Sequence, residues 1–433
     1  MSKAAGWGNI CNRVDTCALT GAGAFIAGIP DSEILVNGPL WCYFYALRYL
    51  ERVYYNIGER FHGSQPDNNA VVYGAEKYVT KALERLVEEG HKPSIMLIES
   101  SCSMSLIGDD LAGIARKSEL DFPVVTMDCG GMIGGYSEGY CSAALKVFEL
   151  LLPNTANVLP KAVNILGQTD FYLSGSSDTK EICRLLKKAG YDILAVPGSG
   201  STLDELRRMG EASLNIVTNE ELGLPLAEYL ERKYGTPYIT AGIPYGIEGT
   251  VNWLKKIHSV LGSDCFSEVC REAEDLFNSL TSKNNEARLL WGSLWFDEVL
   301  VSGPSTMALC LAQTLRTEWA DMGKLTVICQ EPLKQSLYCE AADAVYTAGR
   351  DDAAVAAYLE RCNNILLLGS SSESSVLYRR NNCKFQSCNI AYPANDEIFM
   401  QPQPMAGLRG CGYMLQRLWN TFIAGQMRKQ GGQ

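Results

Sequence analysis

Three cysteines near the front of the chain, Cys17, Cys42 and Cys102, have surroundings that would suit the thiolates of a metal–sulfur cluster. Cys17 precedes the small-residue stretch Thr20-Gly21-Ala22-Gly23-Ala24, and Cys42 closes Asn37-Gly38-Pro39-Leu40-Trp41. Cys102 leads from the apolar run at 94–98 into Leu106-Ile107-Gly108-Asp109-Asp110. Each thiol is expected on a loop or at the end of an element, beside residues that let backbone come close. A cluster needs several thiolates converging on one point, with amide N–H groups aimed at its sulfides. A cuboidal 4Fe–4S cluster usually takes four protein ligands, and here three stand out. Either a fourth residue contributes, with Cys11, Asp128 and Cys129 as the local candidates, or the site is completed across a subunit interface.

Other chemical signals are weaker. His62, His91 and His258 are isolated in sequence, without the i, i+4 partner of a zinc hydrolase helix, and read as structural. The pair Asp109–Asp110 suits a helix N-terminal turn, where carboxylates complement the macrodipole, better than general acid–base work. Gly198-Ser199-Gly200-Ser201-Thr202 and Gly369-Ser370-Ser371-Ser372 resemble anion-binding helix starts, but open α/β sheets carry such loops at their strand ends as a matter of course. There is no G-x-x-x-x-G-K-[ST] phosphate loop, which argues against ATP hydrolysis by this chain.

The elements that must position the thiols alternate throughout: short β-like runs, then amphipathic helical runs, the pattern of parallel sheets covered by helices. With 433 residues, 47% of them hydrophobic, the chain has material for several cores. The expected fold is α/β, with three tandem Rossmann-like open parallel-sheet domains and helices on both faces. Residues 1–155 form the N-terminal domain with the cysteines, and 156–285 a second domain with a bridging helix. Residues 286–433 form a third, closed by a C-terminal helix. Strands are expected at 94–98, 122–127, 162–167, 192–196, 214–217, 237–239, 298–301, 325–328, 344–346 and 364–368, and a helix at 106–117. Thr202 and Glu205 have capping-box spacing.

A net charge of −11 argues against nucleic acid as a partner. No apolar stretch approaches membrane-spanning length and the N-terminus lacks a signal core, so a cytoplasmic protein is expected. In that compartment 16 cysteines are not a disulfide framework. Most, including Cys183, Cys310, Cys329 and Cys362, read as small buried hydrophobes.

The run Cys17-Ala-Leu-Thr-Gly-Ala-Gly-Ala-Phe-Ile-Ala-Gly-Ile-Pro30, followed by Leu35-Val-Asn-Gly-Pro-Leu-Trp-Cys42, resembles the opening of nitrogenase component 1 subunits. There a Cys, a small-residue helix and a His-Gly-x-x-Gly-Cys loop follow one another. Ala70-Val-Val-Tyr-Gly-Ala-Glu-Lys77 resembles the family's next element, and Ser100-Ser-Cys102-Ser-Met-Ser-Leu-Ile-Gly-Asp-Asp-Leu111 its third cysteine loop. Gly407-Leu-Arg-Gly410 extends the likeness to the end of the chain.

The resemblance implies that Cys17, Cys42 and Cys102 hold an iron–sulfur cluster, an 8Fe–7S P-cluster or its 4Fe–4S counterpart, shared at a subunit interface. It implies an α-type partner in a heterotetramer, or a second copy in a homodimer, and an ATP-hydrolysing iron protein as electron donor. Asn37 departs from the family's His, and Asn219 and Ala406 stand where an α subunit ligates its iron–molybdenum cofactor. The interval from Cys17 to Cys42 also resembles the β type. The implied function is a β-type subunit of a nitrogenase-like reductase, with a methylthio compound as the favoured substrate class. A tetrapyrrole-reducing relative and a metal-cofactor assembly scaffold are the alternatives, and a non-redox module binding metal chelates is the reading furthest from the family's redox work.

Overall fold

The computed structural model describes residues 16–130, 134–263, 265–331, 333, 339–380 and 382–430. Its strands form three sheets, parallel throughout. The first contains β1 (Glu33–Asn37), β2 (Phe61–Gly63), β3 (Met96–Ser100) and β4 (Val124–Asp128), in the order β2-β1-β3-β4. The second contains β5 (Ala162–Leu166), β6 (Asp192–Ala195), β7 (Leu214–Val217) and β8 (Tyr238–Thr240), in the order β6-β5-β7-β8. The third contains β9 (Trp295–Gly303), β10 (Asp321–Cys329), β11 (Ala344–Thr347), β12 (Ile365–Gly369) and β13 (Phe385–Asn389), in the order β11-β10-β9-β12-β13.

The central strands β1, β3, β5, β7 and β12 are buried along their whole length. Near-continuous apolar runs of this kind mark parallel strands covered on both faces. In every sheet the strand order reverses once: between β1 and β3, between β5 and β7, and between β9 and β12. The crevice outside the carboxyl ends of two such strands is where open α/β sheets bind ligands. The expected fold class is therefore the one observed.

Around the first sheet lie α1 (Ala18–Ala27), α2 (Leu40–Leu50), α3 (Glu76–Glu88), α4 (Cys102–Ile107), α5 (Leu111–Lys117) and α6 (Tyr136–Leu151). Helix α1 is buried at every residue and lies backbone to backbone on α6. A Cβ at Gly21 would overlap the Tyr136 carbonyl, and one at Gly139 the Ala18 carbonyl. The single helix expected at 106–117 is two. Gly108, at φ +81°, ends α4, and Asp110 caps α5 by accepting from the Gly113 amide at 2.8 Å. The structural reading of Asp110 thus holds, as does the capping box at Thr202 and Glu205.

The helix Phe266–Trp291 bridges the second and third sheets in sequence. The C-terminal helix Gly407–Gln430 lies against it, against the helices Gly175–Lys188 and Ile247–Leu261, and against β13. It buries Leu408, Met414, Leu418, Trp419 and Phe422. Among the described residues no helix is long and apolar enough to cross a membrane.

Candidate metal centre

The two strands that flank the reversal in the first sheet deliver two of the thiols. The chain leaves β1 at Asn37, turns through Gly38 and Pro39, and reaches Cys42 in the first turn of α2. It leaves β3 at Ser100, and Cys102 is the first residue of α4. Cys17 is the N-cap of α1 and forms an antiparallel bridge with Gly135, which caps α6. Cys42 is thus at the end of an element, as expected, with its amide donating to the Pro39 carbonyl at 3.0 Å. All three sulfurs stand at helix starts.

A buried polar network sets the spacing between the loops. The Ser101 amide donates to the Asn37 carbonyl at 2.9 Å, and the Asn37 side-chain amide reaches Ser100 Oγ and Asp109 Oδ2, each at 3.4 Å. Ser64 donates to Asn37 Oδ1 at 3.0 Å, and Asp109 Oδ1 accepts from the Ala75 amide at 2.9 Å. Asn37 and Asp109 are therefore positioning residues. Close backbone approach completes the frame. A Cβ on Gly130 would lie 2.8 Å from Cys102 Cα and 3.4 Å from its sulfur, and one on Gly38 would lie 2.6 Å from Ser101 Cβ.

Cys17 and Cys102 are exposed, and Cys42 is half-buried. Burial raises the Cys42 thiol above its ordinary value, and the neighbouring Cys102 and Cys17 raise it further, so the three sulfurs sense one another. They are nevertheless not all within 4.8 Å of one another, the closeness that ligands of a single ion would show. Soft donors at this wider spacing fit an iron–sulfur cluster better than a lone cation. Cys17 and Cys42 also share a cavity of about 340 Å³ with Trp41, Tyr45 and Tyr49. Trp41 is 67% exposed, and its ring lies 5.9 Å from Tyr45 and 6.5 Å from Phe44. The thiols thus open beside an uncovered apolar face.

The cysteines read as buried hydrophobes behave as core groups: burial pushes Cys329 up to about 12 and Cys183, Cys310 and Cys362 up to about 11. Of the candidates for a fourth ligand, Asp128 is exposed at the end of β4. Cys129 is fully buried, with its thiol pushed well up by burial and by Glu99. Cys11 lies outside the described residues. Asn219 and Ala406 are buried and structural: Asn219 donates to the Gly167 carbonyl at 2.7 Å, and the Ala406 amide donates to Asp178 at 2.9 Å.

Two features escaped the sequence reading. Glu99, next to last in β3, is wholly buried beside Cys129, and burial raises its carboxyl well above the ordinary value. A lone Glu in the run Ile95-Met96-Leu97-Ile98-Glu99 was the available signal. The second is a correction to the histidines. His62 and His91 are not isolated: His62 Nε2 lies 2.9 Å from Glu33 Oε2, and His91 Nδ1 lies 2.8 Å from Glu33 Oε1. Burial would raise the Glu33 carboxyl, but the two imidazoles outweigh it and hold the carboxyl below its ordinary value. Only His258 keeps its bland role, stacked on Phe266 at 5.0 Å.

A family model described as nitrogenase component 1 type oxidoreductase matches residues 17–423. Over 265 residues the chain is 31% identical to the nitrogenase iron-molybdenum cofactor biosynthesis protein NifE of Clostridium pasteurianum, covering 59% of this chain and 56% of that protein. Over 256 residues it is 27% identical to one of the subunits of the light-independent protochlorophyllide reductase of Prochlorococcus marinus, covering 56% and 47%. The chain spans about half the length of these curated relatives. A solved structure, nitrogenase Cp1 at pH 6.5, has the same fold, with a TM-score of 0.77 over 96% of this chain and 94% of that one at 17% identity.

Proposed function

Because the chain belongs to the nitrogenase component 1 type oxidoreductases, we propose that it is a β-type subunit of a nitrogenase-like reductase, holding half of an iron–sulfur cluster against an α-type partner. The observation that carries this reading is the set of three thiols at helix starts, opening beside an exposed aromatic face. Cys17, Cys42 and Cys102 would hold the group. An 8Fe–7S or 4Fe–4S cluster held there would supply one-electron chemistry between an ATP-dependent iron protein and the partner's active site.

This chain's residues prepare the place for it. The starts of α1, α2 and α4 present the three thiols. The Asn37–Ser100–Asp109 network fixes the offset between the Cys42 and Cys102 loops. Beneath them, burial raises the Glu99 carboxyl well above its ordinary value, which disfavours negative charge under the sulfurs. Outside, the Trp41, Phe44 and Tyr45 face gives a partner apolar surface with which to exclude water from the centre.

A second reading, an assembly scaffold that builds a metal cofactor on the same thiols, is favoured by the likeness to the NifE biosynthesis protein. One experiment separates the two. The chain is co-expressed without oxygen with an α-type partner and an iron protein, and iron, sulfide and the low-temperature EPR spectrum are measured. The reductase reading expects about eight irons per heterodimer for a shared P-cluster, or about four for the simpler form. It also expects turnover, assayed first on methylthio compounds and then on tetrapyrroles. Cys42→Ala removes both iron and turnover. Full iron content in that variant overturns the thiol assignment, and cluster transfer to an acceptor without turnover favours the scaffold.

A further inference from the structure

The amino-terminal edge of the first sheet, the edge away from the thiols, gathers a carboxylate and two imidazoles. Glu33 opens β1, and β1 pairs with β2 so that Leu35 stands opposite His62. Alternate residues of a strand share a face, which puts Glu33 and His62 on the same side, one step apart. His91 arrives from the end of α3. Gly90, at φ +85°, turns the chain, and the His91 amide donates to the Leu86 carbonyl at 3.0 Å, the six-to-one bond of a Schellman end. Backbone geometry therefore fixes all three positions.

One ligand atom from each residue lies within 4.8 Å of the other two, and among the described residues no other trio of His, Cys, Asp or Glu is so placed. The imidazole rings are nearly perpendicular, at 85°, with centroids 5.1 Å apart, so they converge without stacking. The Glu33, His62 and His91 side chains are 10%, 11% and 25% exposed. On the outer side, His91 Nε2 faces Glu89 Oε2 at 3.8 Å.

Without metal, a doubly protonated His91 donates to both Glu33 and Glu89, whereas a neutral His91 has two arrangements. If a neutral His91 donates from Nδ1 to Glu33, its Nε2 lone pair faces the Glu89 carboxylate, acceptor against acceptor. With the proton on Nε2 instead, Glu89 is matched, and the Nδ1 lone pair is turned inward, as a metal ligand backed by an outer carboxylate requires. We propose that Glu33, His62 and His91 bind one divalent first-row transition-metal ion of the zinc or ferrous class, pinning the three-residue edge strand β2 and the α3–β3 turn to β1. Two histidines and a carboxylate are a ligand set of both metals, and the exposed His91 side leaves a position for water.

Full-length protein, purified without oxygen and treated with a mild chelator, is titrated with Co²⁺ and then Zn²⁺. The expected result is one equivalent of Co²⁺ with weak visible d–d bands, no thiolate charge-transfer band, displacement by Zn²⁺ and a raised melting temperature. His62→Gln and Glu33→Gln lose that equivalent, whereas a Cys17, Cys42 and Cys102 triple serine variant keeps it. Glu89→Gln weakens binding by about 10-fold. Absence of the equivalent in the unmodified protein, or its survival in both ligand variants, overturns the proposal. Should the ligand variants fail to fold, X-ray absorption on the zinc-loaded unmodified protein decides. A nitrogen and oxygen shell with imidazole scattering supports the site, and sulfur in the shell overturns it.

Discussion

At the scale of single residues, cysteine chemistry in this chain follows burial and position. Thiols such as Cys310 and Cys329 are held protonated by the apolar core, whereas Cys17 and Cys102 reach solvent from helix starts. Anaerobic alkylation of the cluster-free chain, read by peptide mass spectrometry, should therefore label Cys17 and Cys102 first. Cys183, Cys310, Cys329 and Cys411 should react only in denaturant. Gly130 gives a second prediction. Gly130→Ala drives a Cβ to 2.8 Å from Cys102 Cα, and the resulting strain should cost about 1–3 kcal/mol in a denaturant melt and lower iron retention. The thiols were legible in the sequence because small residues flank them. The Glu33 cluster was not, because its members lie 29 and 58 positions apart and only the β1–β2 register and the α3 terminus bring them together.

Among the elements, apolar strands declared themselves: β7 falls where the alternation put it, and β3, β4, β5, β6, β8, β11 and β12 within two residues. β9 and β10 extend well past the apolar stretches that marked them. β1, β2 and β13 were missed. β1 begins and ends on polar residues, Glu33 and Asn37, that are buried because partners from other loops satisfy them. β2 has three residues, and β13 has a polar centre in Gln386 and Ser387. Tertiary pairing made these strands, and no local pattern records it. The same kind of long-range pairing yields a pH prediction. Asp178, in the helix Gly175–Lys188, accepts from the Met405 and Ala406 amides at 2.6 and 2.9 Å, just ahead of the C-terminal helix. Burial pushes its carboxyl up to about 7 despite those two donors. The folded protein thus holds this proton more tightly than the unfolded chain. Its contribution to stability is complete below the unfolded value near 4 and is lost as pH rises through about 7. Asp178→Asn, which keeps the acceptor oxygen, should flatten the fall in melting temperature between pH 4 and 7 and raise stability at pH 8 by up to about 4 kcal/mol.

For the molecule as a whole, the uncovered Trp41, Phe44 and Tyr45 face beside the thiols is an apolar surface suited to a partner. Trp41→Glu should leave the melting temperature of the isolated chain within about 1 °C, since the ring is exposed already. It should abolish co-purification with the α-type subunit, read by size-exclusion chromatography. The three-sheet plan was visible in the alternation of runs, but the links between the sheets were not. One of these ties the second sheet to the metal centre. The Gly200 amide, in the turn after β6, donates to the Gly28 carbonyl at 2.9 Å, and Gly28 closes the helix that Cys17 opens. Helix α1 is thus a strut, roughly 15 Å long, clamped at one end by the second sheet and carrying a sulfur at the other. Tilting that strut by a few degrees would carry the Cys17 sulfur through about 1 Å. A shift of the turn after β6 is therefore passed along α1 to the Cys17 sulfur, with no need to touch a thiol.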